Sequence, residues 1–589
     1  MKTAKKQPFF FQLVSITASA TAIVAAMIIA RSDWAADGAA GEKSTADQSV
    51  TQNDIKDKAA PEKQASSGGI QSAADRNIAA GPFQPTWESL EQNYHCPDWF
   101  RDAKFGIWAH WTAQCVPERG DWYARKMYLP GDPDYKDHLQ RYGHPSEFGF
   151  KDIDNLWHAE NWDPEKLMQL YKAAGAKYFV ALANHHDNFD CYDSKYHDWN
   201  SVRVGPHKDI VGTWAKVARE NGLRFGVSNH SAHAWHWFQV AYGYDPDGPM
   251  AGVRYDGFLT KADGKGKWWE GLDPQELYTG QNMVLPAGLT TAQEVNAWHE
   301  QNDRKWTEEP PPDNPGFVNS WFLRCQDLID KYHPDLIYFD DTELPLGQTG
   351  LDITAHYYNA NSAWHGGNLE AVLTAKKLQP AHRAAVVEDY ERGFSDTIQP
   401  EPWQTCSCIG QWHYNRTLFE HHSYKNVGQV LRMLVDIVSK NGNLLLSIPV
   451  RGDGTIDDDE VAFLHGMADW MAINGEGIFG SRPWKVFGEG PTQISGGMFN
   501  EGKVKYTAAD LRFTTKDGAL YVFALGVPTD DIAVKALGRS SATTQPVSKI
   551  KLLGSDAPIT WDQADDALTI HKPNQFSSQD VVAFKIDFQ

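Results

Sequence analysis

The sequence predicts an α/β protein, a (β/α)8-like barrel followed by a C-terminal antiparallel β-sandwich. Three observations carry this. Short, near-continuous apolar runs recur at 105–111, 178–182, 224–227, 336–339, 385–387 and 444–448, the pattern of parallel strands buried on both faces. Capped helical stretches lie between them, and repeated βα units of this kind close into barrels. Beyond about residue 480 the texture changes to short runs such as 519–524, 550–553 and 581–584, divided by Gly, Asp and Pro turns, as in a sandwich.

Two of the helices are well signalled. Asp163-Pro164 supplies an N-cap and a proline at the first helical position, Gly175 supplies the stop, and Leu167, Leu170, Tyr171 and Ala174 share one face. A second helix is expected between Asp209 and Asn221, with Ile210, Trp214, Val217 and Ala218 on its apolar face. At the N-terminus, Lys2, Lys5 and Lys6 precede an apolar run over 9–30 that ends at Arg31. Residues 1–31 are therefore expected to be an export signal or an uncleaved membrane anchor, which predicts a periplasmic, secreted or membrane-tethered protein. Residues 32–82 are rich in Ala, Ser, Gly, Asp, Lys and Gln and read as a disordered linker. The catalytic barrel is expected over 83–480 and the sandwich over 481–589.

The chain has 55 Lys+Arg against 76 Asp+Glu, a net charge of −21. This argues against nucleic acid as a partner, because phosphate binding needs a basic surface. The six cysteines are too sparse for a disulfide scaffold and poorly spaced for zinc, so they are expected to be buried free thiols. With 23 Trp and 12% aromatic residues, the chain has material both for a large core and for platforms against the flat face of a sugar ring.

Polar and ionisable residues follow several separate apolar runs, where barrel enzymes keep their catalytic groups. They are His110 and Trp111; Asn184, His185, His186 and Asp187; Asn229 and His230; Asp340, Asp341 and Glu343; and Glu388, Asp389, Glu391 and Arg392. A metal site on His185, His186 and Asp187 is disfavoured, because neighbours on a strand point to opposite faces. A Ser or Cys nucleophile is disfavoured by the lack of a G-x-S-x-G elbow. A carboxylate pair acting on a glycosidic bond fits best, since separated carboxylates, neutral histidines and aromatics all suit a sugar.

Five segments in order then resemble the α-L-fucosidases of glycoside hydrolase family 29. They are Phe105-Gly106-Ile107-Trp108-Ala109-His110-Trp111 with the six residues before it; Asp121-Trp122-Tyr123; Ala174-Gly175-Ala176-Lys177-Tyr178 leading to His185-His186-Asp187; His333-Pro334-Asp335-Leu336-Ile337-Tyr338-Phe339-Asp340; and Ser439-Lys440-Asn441-Gly442-Asn443-Leu444 with Asp453-Gly454-Thr455. The resemblance implies a retaining exo-α-L-fucosidase acting on fucosylated oligo- or polysaccharides. Asp340 would be the nucleophile and Glu391 the acid/base, with Glu388, Glu343 and Glu401 as rivals. His110, Trp122, His185, His186 and Arg392 would contact the sugar. No metal and no organic cofactor are expected. The family pattern is broken at Tyr338, at Ser228-Asn229-His230 and at Trp403-Gln404-Thr405-Cys406. A related glycone, an L-galactoside or a β-L-arabinopyranoside, therefore stays open, as does an inactive membrane-tethered carbohydrate binder. The long 243–313 segment, with Trp268, Trp269 and Trp298, is expected either to shape the leaving-group side or to be a surface elaboration.

Overall fold

A computed structural model describes residues 76–589. The expected signal or anchor and most of the expected linker lie outside these residues. The stretch 76–82, also assigned to the linker, is instead docked: Arg76 pairs with Asp352 at 2.6 Å, and the Phe83 amide donates to Asn359 at 3.0 Å. Both partners lie on the helix Gln348–Trp364, so this stretch is packed where its composition suggests a linker.

Eight parallel strands close a barrel in sequence order: β1 (Phe105–Ala109), β2 (Tyr178–Asn184), β3 (Arg224–Asn229), β4 (Leu336–Thr342), β5 (Val372–Lys376), β6 (Val387–Asp389), β7 (Trp403–Cys408) and β8 (Gly442–Ser447). Closure is direct, with Ile107 of β1 beside both Phe179 of β2 and Leu446 of β8. Alternation divides each strand between two cores. Trp108, Tyr178, Val180, Leu336, Tyr338, Val372, Val387, Cys406 and Leu445 fill the barrel interior. Ile107, Phe179, Phe225, Ile337 and Leu444 face outward into the helical layer.

The two signalled helices form as read, Pro164–Ala173 capped by Asp163 and Ile210–Glu220 capped by Asp209. β5 and β7 were not anticipated. Gln404 of β7 spends its polarity inside the barrel, accepting from Tyr178 Oη at 3.1 Å and donating to Asp389 at 2.9 Å. Buried polar residues paired in this way erase the apolar run that marks a strand. β6 starts two residues later than expected and includes Glu388 and Asp389.

Beyond the barrel stand two antiparallel sheets. One has the order β13-β16-β11-β10-β9 and the other β12-β15-β14, built from β9 (Arg482–Glu489), β10 (Leu511–Lys516), β11 (Ala519–Ala524), β12 (Ile532–Val534), β13 (Val547–Leu552), β14 (Trp561–Gln563), β15 (Leu568–Ile570) and β16 (Val582–Phe588). Alternate residues of β11 serve different cores. Leu520 and Val522 pack with Ile532, Leu568 and Ile570 of the small sheet, while Tyr521 and Phe523 join the barrel's outer core. All six cysteines are free, five of them buried. Among the described residues no helix is long and apolar enough to cross a membrane.

Candidate active site

Strand ends at the C-terminal mouth of the barrel converge on a cavity of about 1170 Å³. Its lining includes Asp340, Glu391, His110, Trp122, His185, His186 and Arg392, so every site residue expected from the sequence reaches it. Trp412 also lines it, whereas Trp403 is core, its indole N–H donating to Lys440 O at 2.8 Å.

β4 delivers Asp340 into the mouth. Alternation sends Asp341 to the other face, where it is fully buried outside the cavity. Lys376, the last residue of β5, is central and unforeseen. Its ammonium donates to Asp340 Oδ1 and to Glu391 Oε2. Two oxygens sharing one nitrogen are held within the ~5–5.5 Å separation of retaining carboxyl pairs, well short of the ~6.5–9.5 Å of inverting pairs. Burial alone would raise the Asp340 pKa, but Lys376 and then His230 outweigh it and hold the carboxyl well below its usual range. A short strand ending in a polar residue carried no signal for Lys376.

Glu391 is the one of the four acid/base candidates that lines the cavity. Glu388 is paired with Arg383 at 2.6 Å, Glu343 with His382 at 3.0 Å, and Glu401 is exposed. The family resemblance implied that Arg392 would contact the sugar. Arg392 lines the cavity wall, but with φ 48° its guanidinium is drawn to Glu501 at 2.8 Å. Glu501 comes from the loop after β9. It also accepts from Lys425 Nζ at 2.9 Å and Ser407 Oγ at 2.6 Å. Gly393 makes the docking possible, since a Cβ there would stand 2.0 Å from Gly497 O.

The histidines form a cluster. His185 and His186, expected on opposite faces, both face the cavity, because β2 ends at Asn184 with a register shift and pleat alternation stops there. Gln114 Nε2 lies 3.1 Å from His185 Nδ1, which leaves Nε2 of a neutral ring to carry the proton. His186 Nδ1 donates to His230 O at 2.8 Å, so its Nε2 is an acceptor. His230, at the end of β3, joins them with Nδ1 3.4 Å from Asp340 Oδ2. Burial holds His110, His185 and His186 well below the usual imidazole range, so all three are neutral hydrogen-bonding groups. Trp122, at φ 68°, stands at the cavity edge with Arg304 stacked 5.2 Å from its ring.

Two groups among the described residues are spaced to hold a metal ion, His185–His186–His230 in the cavity and His233–Glu308–Asp341 behind β4. From the 243–313 segment, Trp268, Trp269 and Trp298 do not reach the cavity, but Arg304 and Trp306 do.

The α-L-fucosidase family model matches residues 70–476. The chain belongs to that family. It is 26% identical over 517 residues to an α-L-fucosidase of Branchiostoma floridae, covering 84% of this chain and 93% of that one. It is 26% identical over 496 residues to the tissue α-L-fucosidase of Homo sapiens, covering 82% and 86%. Its fold matches the crystal structure of Thermotoga maritima α-fucosidase in complex with a mechanism-based inhibitor, with a TM-score of 0.62 at 24% identity over 86% of this chain and 99% of that one. A Bacteroides thetaiotaomicron α-L-fucosidase described as a trapped covalent intermediate matches with a TM-score of 0.54 at 15% identity, covering 87% and 98%. The chain is thus an α-L-fucosidase-family glycoside hydrolase with the family's barrel and C-terminal sheets.

Proposed function

We propose that this fucosidase is exo-acting and retaining, with Asp340 as nucleophile and Glu391 as acid/base. The observation that carries the reading is the pair of carboxylates facing one cavity and bridged by Lys376, which leaves them closer together than an inverting pair stands. Asp340, held ionised, attacks the anomeric carbon as the bond to the leaving oxygen breaks. Glu391 gives that oxygen its proton. Lys376 engages Glu391 Oε2, which leaves Oε1 to carry the proton. Water then attacks the glycosyl–Asp340 ester, Glu391 takes the water's proton, and the sugar leaves with its configuration retained. His110, His185 and His186, as neutral partners, hold sugar hydroxyls without competing for the ammonium.

His230 stands beside Asp340 where the sequence departs from the family pattern, so an L-galactoside or β-L-arabinopyranoside is the second reading for the glycone. Export through residues 1–31 is proposed from the lysines and apolar run there; cell fractionation placing the protein in the cytosol would overturn it.

The deciding experiment is nitrophenol release from p-nitrophenyl α-L-fucoside. Wild type is expected to turn over and Asp340→Ala to fall to background. Glu391→Gln is expected to lose about 10²–10⁴-fold on natural linkages and far less on the activated aryl fucoside. Wild-type turnover only of another L-glycoside would select the second reading. Binding without turnover across the panel would reject both.

A further inference from the structure

Behind the sugar site, a second cluster of ionisable groups takes no part in the mechanism above. Asp341, turned away from Asp340, has 0% exposure, and neither carboxylate oxygen has a hydrogen-bond partner. His233, in the turn after β3, brings Nε2 to 2.9 Å from Asp341 Oδ1 and 3.4 Å from Glu308 Oε2.

The ring tautomers decide what this cluster needs. His236 Nδ1 lies 2.8 Å from the carbonyl oxygen of Asp303. A carbonyl only accepts, so His236 Nδ1 carries the hydrogen and, in the neutral ring, Nε2 is bare. His233 Nδ1 sits 3.3 Å from that bare nitrogen and must donate to it. Neutral His233 is then left with a lone pair on Nε2, aimed at two carboxylate oxygens. Three electron-pair donors converge in a largely enclosed space, and only a shared proton or a bound cation relieves that arrangement.

We propose that His233 Nε2, the Asp341 carboxylate and Glu308 Oε2 bind one divalent cation of the Zn²⁺ or Mn²⁺ class. The 2.9 and 3.4 Å separations are those of ligands sharing a centre with bonds of about 2.0–2.2 Å. One imidazole with two carboxylates favours such borderline ions over Ca²⁺ or Mg²⁺. The surroundings have the outer-shell order of a metal site. The His233–His236–Asp303 chain orients the imidazole, and the Thr342 amide donates to Glu308 Oε1 at 2.7 Å, freeing Oε2. Trp306 lies against His233, with ring centroids 3.7 Å apart and planes tilted by 33°. The cation pins the loop carrying Arg304 and Trp306, both cavity-lining, to the strand that carries Asp340. It is a structural tie and takes no part in the glycosyl transfer. The inference departs from the expectation of a metal-free chain, and it does not depend on which sugar is hydrolysed.

The test uses the purified full chain after chelation and dialysis. Titration with ZnCl₂ or MnCl₂ is expected to bind about one equivalent and to raise Tm by a few degrees. Co²⁺ loading is expected to give visible d–d absorption that His233→Gln and Asp341→Asn both abolish. Glu308→Gln, on the half-buried loop, serves if either core variant fails to fold. Absence of stoichiometric binding with an unchanged Tm would overturn the proposal. Binding that survives intact in all folded variants would also overturn it, because the ion would then sit elsewhere, for example on His185, His186 and His230.

Discussion

Lys376 shows how much a single side chain decides. Without its ammonium, Asp340 and Glu391 would be two cavity-facing carboxylates in mutual repulsion, and the strongest influence holding the Asp340 pKa down would be gone. With it, one nitrogen bridges the two and keeps Asp340 ionised. Two residues before Glu391, Asp389 has the opposite character. Burial pushes its pKa up to about 7, against the pull of Cys406 Sγ and Gln404 Nε2, which donate to it at 3.0 and 2.9 Å. Between the ordinary aspartate value of about 3.9 and about 7, the folded chain holds a proton that the unfolded chain has released. Stability therefore falls as pH rises through that window. Asp389→Asn should remove this fall. Calorimetric melts at about pH 4.5 and about pH 7.5 should show the variant's advantage over wild type growing with pH; a pH-independent difference would contradict the assignment.

At the scale of elements, the site is completed by a loop from outside the barrel. β6 is three residues long and shares a single registered pair with β7, Asp389 with Gln404; past it, β7 holds the backbone around Glu391 only through the Tyr390 and Arg392 amides, which donate to Gln404 O and Cys406 O at 2.8 Å. The loop after β9 supplies the support. Its Phe499 amide donates to Glu391 O at 2.9 Å, and the Asn500 and Glu501 amides donate to Arg392 O at 3.0 Å. The Glu501 carboxylate then gathers Arg392, Lys425 and Ser407. Glu501→Gln weakens charge-assisted hydrogen bonds, a loss of about 1.5–3 kcal/mol that partial exposure of Arg392 reduces. Its expected signature is a lower kcat/KM on fucosides with a small drop in Tm. Wild-type kinetics would show that the loop holds by its backbone contacts alone.

At the scale of the molecule, the barrel and the C-terminal sheets share buried polar chemistry as well as apolar surface. Asp436, on the barrel helix Val427–Ser439, accepts from Lys440 Nζ at 2.8 Å and from Arg512 Nε of β10 at 2.6 Å, and the three side chains are at most 2% exposed. Removing one partner of a buried ionic group costs about 3–5 kcal/mol. Arg512→Met is therefore expected to lower the melting temperature of the whole protein by several degrees. An unchanged Tm would mean that the sheet is held to the barrel by Tyr521, Phe523 and the other apolar contacts alone.

The class of fold, the order of its parts and several of the residues lining the cavity were legible in the sequence. Apolar runs, capped helices and strand-end histidines are local properties, and local spacing records them. Asp340, Glu391 and the histidine set were legible because each follows or ends a recognisable strand. Only the tertiary structure decided what those residues do to one another. Lys376 ends a strand with no apolar signature, Glu501 arrives from more than a hundred residues away, and His233, Glu308 and Asp341 come from three separate segments. Their pairing depends on distances that exist only once the barrel has closed, and neither the charge on a carboxylate nor the proton on a ring nitrogen is set before its neighbours are in place.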